Sequence, residues 1–247
     1  MWDDMGPVPG SEQGHLPQGM TFWNGNLIFS NHWKNSESHL YLIELATMNV
    51  IAEAAMPAEA VHTSGLAFDG NWLWAVDYGT NRLYQIDADA TFESGSAVIN
   101  AIYGTGLRGA SAITYIDYAG IEYLTISDFF FTGSTYLIEL NRVQELDEKG
   151  VASLSEFSYH NGWFSQGLAW DGLYLYESVN NFGVDRVEVI DVKSWLDGNS
   201  EIPCRVTSFA FGGGASEDLT TDGDSMWSSD ESSYRIYHLE NYRDVIP

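Results

Sequence analysis

One cysteine stands among the 247 residues, Cys204 in the apolar run CRVTSFAF, so no internal disulfide and no cysteine-built zinc site can form. The expected role of Cys204 is that of a small buried apolar residue. Basic residues are also scarce. There are 10 Lys and Arg against 35 Asp and Glu, for a net charge of -25, and only Lys34, Lys149 and Lys193 are lysines. Such a field repels phosphate backbones and anionic bilayers, which excludes nucleic acid and membrane surfaces as expected partners. An acid-rich, lysine-poor, halophilic-like surface suits a salty environment; the competing explanation is that some carboxylates converge on a cation. No run approaches the eighteen or so apolar residues of a membrane span, and MWDD lacks the basic and apolar regions of a signal peptide. Two locations stay open: a secreted or periplasmic one after processing, and the cytoplasm of a salt-adapted organism.

Familiar catalytic signatures are missing as well. There is no G-x-S-x-G elbow, no H-E-x-x-H and no EF-hand loop. GTGLRG, from Gly104, matches a dinucleotide fingerprint by letters but sits between strand patterns with no helix after it. Calcium-like acidic spacing in DGDSMWSSD is explained more simply by a DG hairpin turn.

What the chain does have is a phrase that returns five times: QGMTFWNGNLIFSN from Gln18, SGLAFDGNWLWAVD from Ser64, SAITYIDYAGIEYLTISD from Ser111, QGLAWDGLYLYES from Gln166 and EDLTTDGDSMWSSD from Glu217. Each is an apolar strand, a turn and a second strand. A third follows, as LYLIEL, LYQID, TYLIEL, RVEVID or RIYHLE. Period-two alternation and an excess of aromatic and β-branched residues mark strands, not helices. The anchor residues Gly19, Gly65, Ala112, Gly167 and Asp218 recur about every 45 to 55 residues, the spacing of one four-stranded propeller blade. The fold class predicted is all-β, a five-bladed β-propeller of four-stranded antiparallel blades around a central channel. It forms a single domain over 1–247, with blades near 15–61, 62–107, 108–161, 162–213 and 214–247. The last blade lacks an obvious outer strand, which either the RDVIP end or the N-terminal segment 1–9 would supply. With 45% hydrophobic residues, the chain can bury such a core without metals or disulfides.

In this architecture the loops leading into the first strands gather at one channel mouth. They bring together His15, Gln18, His62, Ser64, Arg108, Ser111, Trp163, Gln166, Glu217 and Asp218. A second ring on that face holds Asn31, His32, Asp77, Tyr78, Asp128, Asn180 and Asp230; within it the aspartates are expected to bond turn amides, and His32, like His39, to lie on the surface of blade one. Amides, hydroxyls, imidazoles, an arginine and carboxylates converging on one mouth describe a polar binding pocket. Glutamine or serine also satisfies strand ends without any ligand, so structure and function weigh about evenly there. Adjacent carboxylates at Glu217 and Asp218 are costly unless solvated, paired or bound to a cation such as calcium. Trp33 and Trp163 are placed to stack on a sugar or to shield a blade edge.

Residues 163 to 191, WFSQGLAWDGLYLYESVNNFGVDRVEVID, resemble the FTQGL...LYESTG...G...L..VD segment of plant-type and bacterial glutamine cyclotransferases, and 219 to 240 resemble a later repeat of that family. HTSGLAFDGNWLWAVDYGTNRLYQID shares the cadence of NHL-type and lactonase-like repeats. The cyclotransferase resemblance implies a five-bladed propeller that converts N-terminal glutamine to pyroglutamate with a channel-mouth carboxylate. Phe164 and Gln166 match its first motif and Glu217 takes its proton-transfer glutamate, with Asp218 in place of the family's glycine; the order of the blades departs from the family's. Under that reading Glu217 and Gln166 are catalytic, while Gln18, His15, His62, Arg108, Trp163 and Phe164 bind a small molecule or peptide end. Two alternatives stay open: a non-catalytic carbohydrate- or protein-binding propeller, and a calcium-dependent lactonase or esterase with the cation on Glu217 and Asp218.

Overall fold

A computed structural model describes residues 1–33, 36–129, 134–155, 157–160, 164–180, 185–197, 204–211 and 214–246, the side chains of Phe157, His160, Cys204 and Val245 excepted. It is a five-bladed β-propeller. An N-terminal strand, β1 (Asp3–Pro7), precedes blade one, which is β2 (Leu16–Trp23), β3 (Asn26–Trp33), β4 (Glu37–Glu44) and β5 (Asn49–Ala55). Blade two is β6 (Thr63–Phe68), β7 (Leu73–Asp77), β8 (Arg82–Asp87) and β9 (Val98–Gly104). Blade three is β10 (Ala110–Tyr118), β11 (Ile121–Asp128), β12 (Ser134–Glu139) and β13 (Phe157–His160). Blade four is β14 (Phe164–Trp170), β15 (Leu175–Asn180), β16 (Asp185–Asp191) and β17 (Cys204–Ala210). Blade five is β18 (Ser216–Thr221), β19 (Ser225–Asp230) and β20 (Arg235–Glu240), and its outer strand is β1, which pairs antiparallel with β20. The tail after β20 instead makes a 3-10 turn, Tyr242–Val245. The chain's two ends thus share one blade. Opening the ring would cost that whole ladder.

Local chemistry explains the hairpins. In WNGN, Asn24 and Gly25 take φ of 49° and 76°, the left-handed pair that a two-residue turn between twisted strands requires. Short turns do not join the third and fourth strands everywhere. Helix α1 (Ala88–Ser94) is inserted in blade two, α2 (Leu146–Lys149) and α3 (Val151–Leu154) in blade three, and α4 (Val192–Leu196) in blade four. Asp87 and Asp191, each closing its third strand, start α1 and α4 by accepting the amides of Ala90 and Ser194 at 3.0 Å.

Between each adjacent pair of blades lies an apolar core. Ile28, Leu40, Leu66 and Tyr84 join blades one and two, while Trp74, Val76, Ile113 and Leu124 join two and three. The seam between blades five and one is filled by Met20, Phe29, Trp227 and Ile236. Burial of each such side chain contributes about 1.5 to 3 kcal/mol, so the seams, not the blades in isolation, hold the ring. Inner strands meet in the order β2, β6, β10, β14, β18 and back to β2. They meet closely: a Cβ added at Gly19 would stand 2.9 Å from the backbone of Gly65, and one at Gly167 2.5 Å from Leu219 N. The anchor positions are small because five backbones converge there. None of the described helices is long and apolar enough to cross a membrane.

Candidate functional site

Every inner strand carries a β-bulge just before or at its anchor, seen as register shifts across Pro17/Met20, Thr63/Gly65, Ala110/Ala112, Ser165/Gly167 and Ser216/Asp218. A bulge re-aims the extra side chain. The five residues so placed, Gln18, Ser64, Ser111, Gln166 and Glu217, all line one cavity of about 270 Å³ at the mouth where the inner strands begin. That volume is just under the usual small-molecule range, enough for one compact polar group or chain end. The two serines act as stitches. Ser64 Oγ donates to Ala110 O at 3.1 Å and Ser111 Oγ to Ser165 O at 2.8 Å, each reaching the next blade.

The remaining three form the chemistry. Gln166 Nε2 donates to Glu217 Oε1 at 2.9 Å. Glu231, which lies just beyond β19, also lines the cavity and hydrogen-bonds the Glu217 carboxyl. Burial, then the adjacent Glu231 charge, then Asp185 and Asp218 push the Glu217 pKa well above the ordinary carboxylate range. A buried carboxyl beside a second acid ionises at a cost, so Glu217 holds its proton more tightly than a free glutamate does. Asp218, directly after Glu217, turns the other way and has no exposed surface. Its carboxyl accepts the amides of Met20 at 2.7 Å and Leu219 at 2.8 Å, and the amides of Leu66 and Leu168 lie near enough to favour its charged form. Burial raises its pKa and these four amides oppose the rise. Through Met20 this one side chain ties the inner strand of blade five to that of blade one.

Opposite the acids stands a wall of imidazoles. His32 and His62 stack with ring centroids 3.8 Å apart, and Tyr78 packs 5.1 Å from His62. Burial and then the neighbouring imidazole lower His62 to about 3, and burial with the charge of His15 lowers His32 to about 4. Both rings are neutral near pH 7. His62 Nε2 donates to Gln18 Oε1 at 3.0 Å, which leaves Nδ1 as an acceptor. That Nδ1 and Gln166 Oε1 are buried acceptors with no hydrogen-bond partner among the described residues. On a third side Phe129 lies edge-on to Tyr78, at 5.9 Å, and packs on Phe164 at 4.8 Å.

Of the residues expected at this mouth, Gln18, His62, Gln166 and Glu217 line the cavity, Phe164 backs its aromatic side and Asp218 lies beneath it. His15 does not reach it. Its ring lies 6.3 Å from Trp33 and 5.8 Å from His39, in a groove along blade one and the closing strand, because the chain arrives from β1 on the outside of the ring. Arg108 is exposed and absent from the lining, its guanidinium remaining in water while Gly109 O accepts the amide of Phe129 at 2.8 Å. Trp163 lies outside the described residues. His32, expected at the surface, is only 3% exposed and lines the cavity.

Phe129 and Glu231, which sequence reasoning missed, obey the same rule as His32 and Tyr78, which it placed in the second ring. Asp77, Asp128 and Asp230 end β7, β11 and β19, Asn31 stands near the end of β3, and the next residue in each case, Tyr78, Phe129, Glu231 or His32, lines the cavity. The polar side chains at the first position turn back to the backbone instead. Asp77 accepts the amides of His62 at 2.6 Å and Thr80 at 2.7 Å, and Asp230 those of Gly214 and Ala215, each at 3.0 Å. Alternation along a strand was the available signal.

The reading of Asp218 as a cation ligand is corrected by these bonds, since its oxygens face amide hydrogens. Among the described residues, no three His, Cys, Asp or Glu side chains are arranged to hold a metal ion.

No family model and no curated protein matches the chain. Solved structures do. The crystal structure of the Myxococcus xanthus glutaminyl cyclase is 12% identical, with a TM-score of 0.63, covering 96% of this chain and 94% of that one. A chain of the nidogen/laminin complex is 12% identical with a TM-score of 0.55, covering 93% and 78%. In all, 662 chains match, so the likeness establishes the propeller and leaves its chemistry to the site.

Proposed function

We propose that the channel-mouth cavity receives the amino-terminal end of a peptide or a similar small amine, and that the protein is a glutaminyl cyclotransferase. The observation that carries this reading is the Glu217 carboxyl, held by Gln166 and raised in pKa beside Glu231, in a site whose buried acceptors call for N–H donors. A terminal ammonium or amine supplies such donors to Gln166 Oε1 and His62 Nδ1. Acidic groups at the mouth favour a cationic chain end, and the raised pKa of Glu217 brings a carboxylate base closer to an amine.

In the reaction the neutral α-amine attacks the side-chain carboxamide carbon. A carbon–nitrogen bond forms as the five-membered ring closes, and Glu217 takes the proton from the attacking nitrogen. It returns that proton to the carboxamide nitrogen as the old carbon–nitrogen bond breaks, releasing ammonia and regenerating the carboxylate. Gln18, its carbonyl committed to His62, has its amide nitrogen left to hold the oxygen that gains charge. Phe129, Phe164 and Tyr78 shield the site from water that would hydrolyse the amide instead. The test is ammonia release from a peptide beginning with glutamine, with pyroglutamate identified by mass. Wild-type protein inactive across neutral and mildly alkaline pH ends the catalytic reading and leaves a binding propeller.

A further inference from the structure

The channel has a second mouth, and it too is a cup. Three positions beyond each anchor, where the inner strands end, stand Phe22, Phe68, Tyr115 and Trp170, with Thr221 in the equivalent place of blade five. They line a cavity of about 300 Å³, and the hydroxyl-bearing Thr21, Thr114 and Thr220 lie between them. It is separate from the first cavity. The Asp218 carboxyl with the amides around it, and inner strands too close to admit a Cβ at Gly19 or Gly167, close the channel between the two.

The aromatic rings are held in place. Phe22 lies edge-on to Trp227 at 6.2 Å, and the Tyr115 hydroxyl donates to Glu122 Oε1 at 2.6 Å. Each ring is half-buried against a core between blades. Were their role only to seal those cores, the strand ends would be filled; instead a cavity stays open, and threonine alternates with the aromatics around it. Flat apolar faces set among neutral hydroxyls match a ligand that has both C–H faces and O–H edges. A purely apolar ligand would bury the threonine hydroxyls without partners. An anionic one would meet the exposed Asp117 at the rim and a chain of net charge -25.

We propose that this second mouth binds a neutral saccharide unit, with Trp170 and Phe68 as stacking faces and Thr114, Thr220 and Asp117 as hydrogen-bond partners. Binding here is independent of any reaction at the first mouth.

Calorimetric titration tests it with three neutral probes: a β-linked glucose tetramer, an α-linked glucose tetramer and a β-linked N-acetylglucosamine tetramer. At least one is expected to bind at millimolar concentration or below. Trp170→Leu and Phe68→Leu keep apolar bulk but remove the flat face, and each should weaken that binding about tenfold at unchanged fold by circular dichroism. If Trp170→Leu fails to fold, Phe68→Leu and Thr114→Val carry the test. Glu217→Gln, at the opposite mouth, should leave saccharide affinity as it was. The proposal is overturned by absence of binding with all three probes, by full affinity in the folded leucine variants, or by affinity lost only in Glu217→Gln.

Discussion

Asp218 Oδ2 accepts the amide of Met20 at 2.7 Å, joining two residues 198 positions apart where blade five meets blade one. Glycine or alanine occupies the equivalent position in the other four blades. Asp218 thereby completes the ring from within, as β1 completes it from outside.

Replacing Asp218 with glycine, the commonest residue at this position in the other blades, should leave the amides of Met20 and Leu219 without this acceptor. A loss of about 3 kcal/mol or more is expected, with a smaller loss for Asp218→Asn, which keeps one carbonyl acceptor. Urea unfolding of the three proteins measures this. Equal stability of Asp218→Gly and wild type would show that the amides find other partners.

Glu217→Gln should lower cyclisation turnover by about two to four orders of magnitude while preserving the hydrogen bond from Gln166 or an equivalent one. Its effect on stability should have the opposite sign. Because the folded pKa of Glu217 is raised, the folded state holds its proton more tightly than the unfolded chain. Wild-type stability is therefore highest at low pH for this group, and falls as pH rises from the ordinary carboxylate range through the raised value. The glutamine variant lacks that decline, and its melting temperature should exceed wild type near pH 8 by more than near pH 5. Parallel melting curves across that range would show that Glu217 is solvated and ordinary.

The imidazole wall acts in the other direction. Unfolded histidine titrates near 6.5, whereas His32 and His62 are depressed to about 4 and about 3. Their contribution is present in full above pH 6.5 and is lost as pH falls toward the folded values, with His32 alone worth on the order of 3 kcal/mol. His32→Phe, which keeps a ring for stacking, should flatten the acid limb of the stability curve. An unchanged acid limb would place its origin elsewhere.

With 35 acidic and 10 basic residues, the folded chain repels itself. Molar sodium chloride should raise the melting temperature by screening that repulsion, the behaviour expected of a salt-adapted surface. No change between low and molar salt would mean that the carboxylates are already far enough apart.

The blades were legible in the chain because their signals are local: alternation, turn dipeptides such as Asn24-Gly25, and a phrase repeated at blade spacing. The same register placed Gln18, Gln166 and Glu217 at one mouth, since a repeat carries equivalent residues to equivalent places. The sequence alone left two candidates for the fourth strand of blade five; pairing between residues at opposite ends of the chain selected β1. Closure also carried His15 outward and His32 inward, and it decided which of Asp77 and Tyr78, or of Asp230 and Glu231, meets the cavity. Depressed histidines, a raised Glu217 beside Glu231, and the Met20 amide on Asp218 likewise come from groups apart in sequence and brought together in a buried site. Period-two patterning fixes which face a side chain takes within its own strand; only ring closure decides which other strand's groups that face will meet.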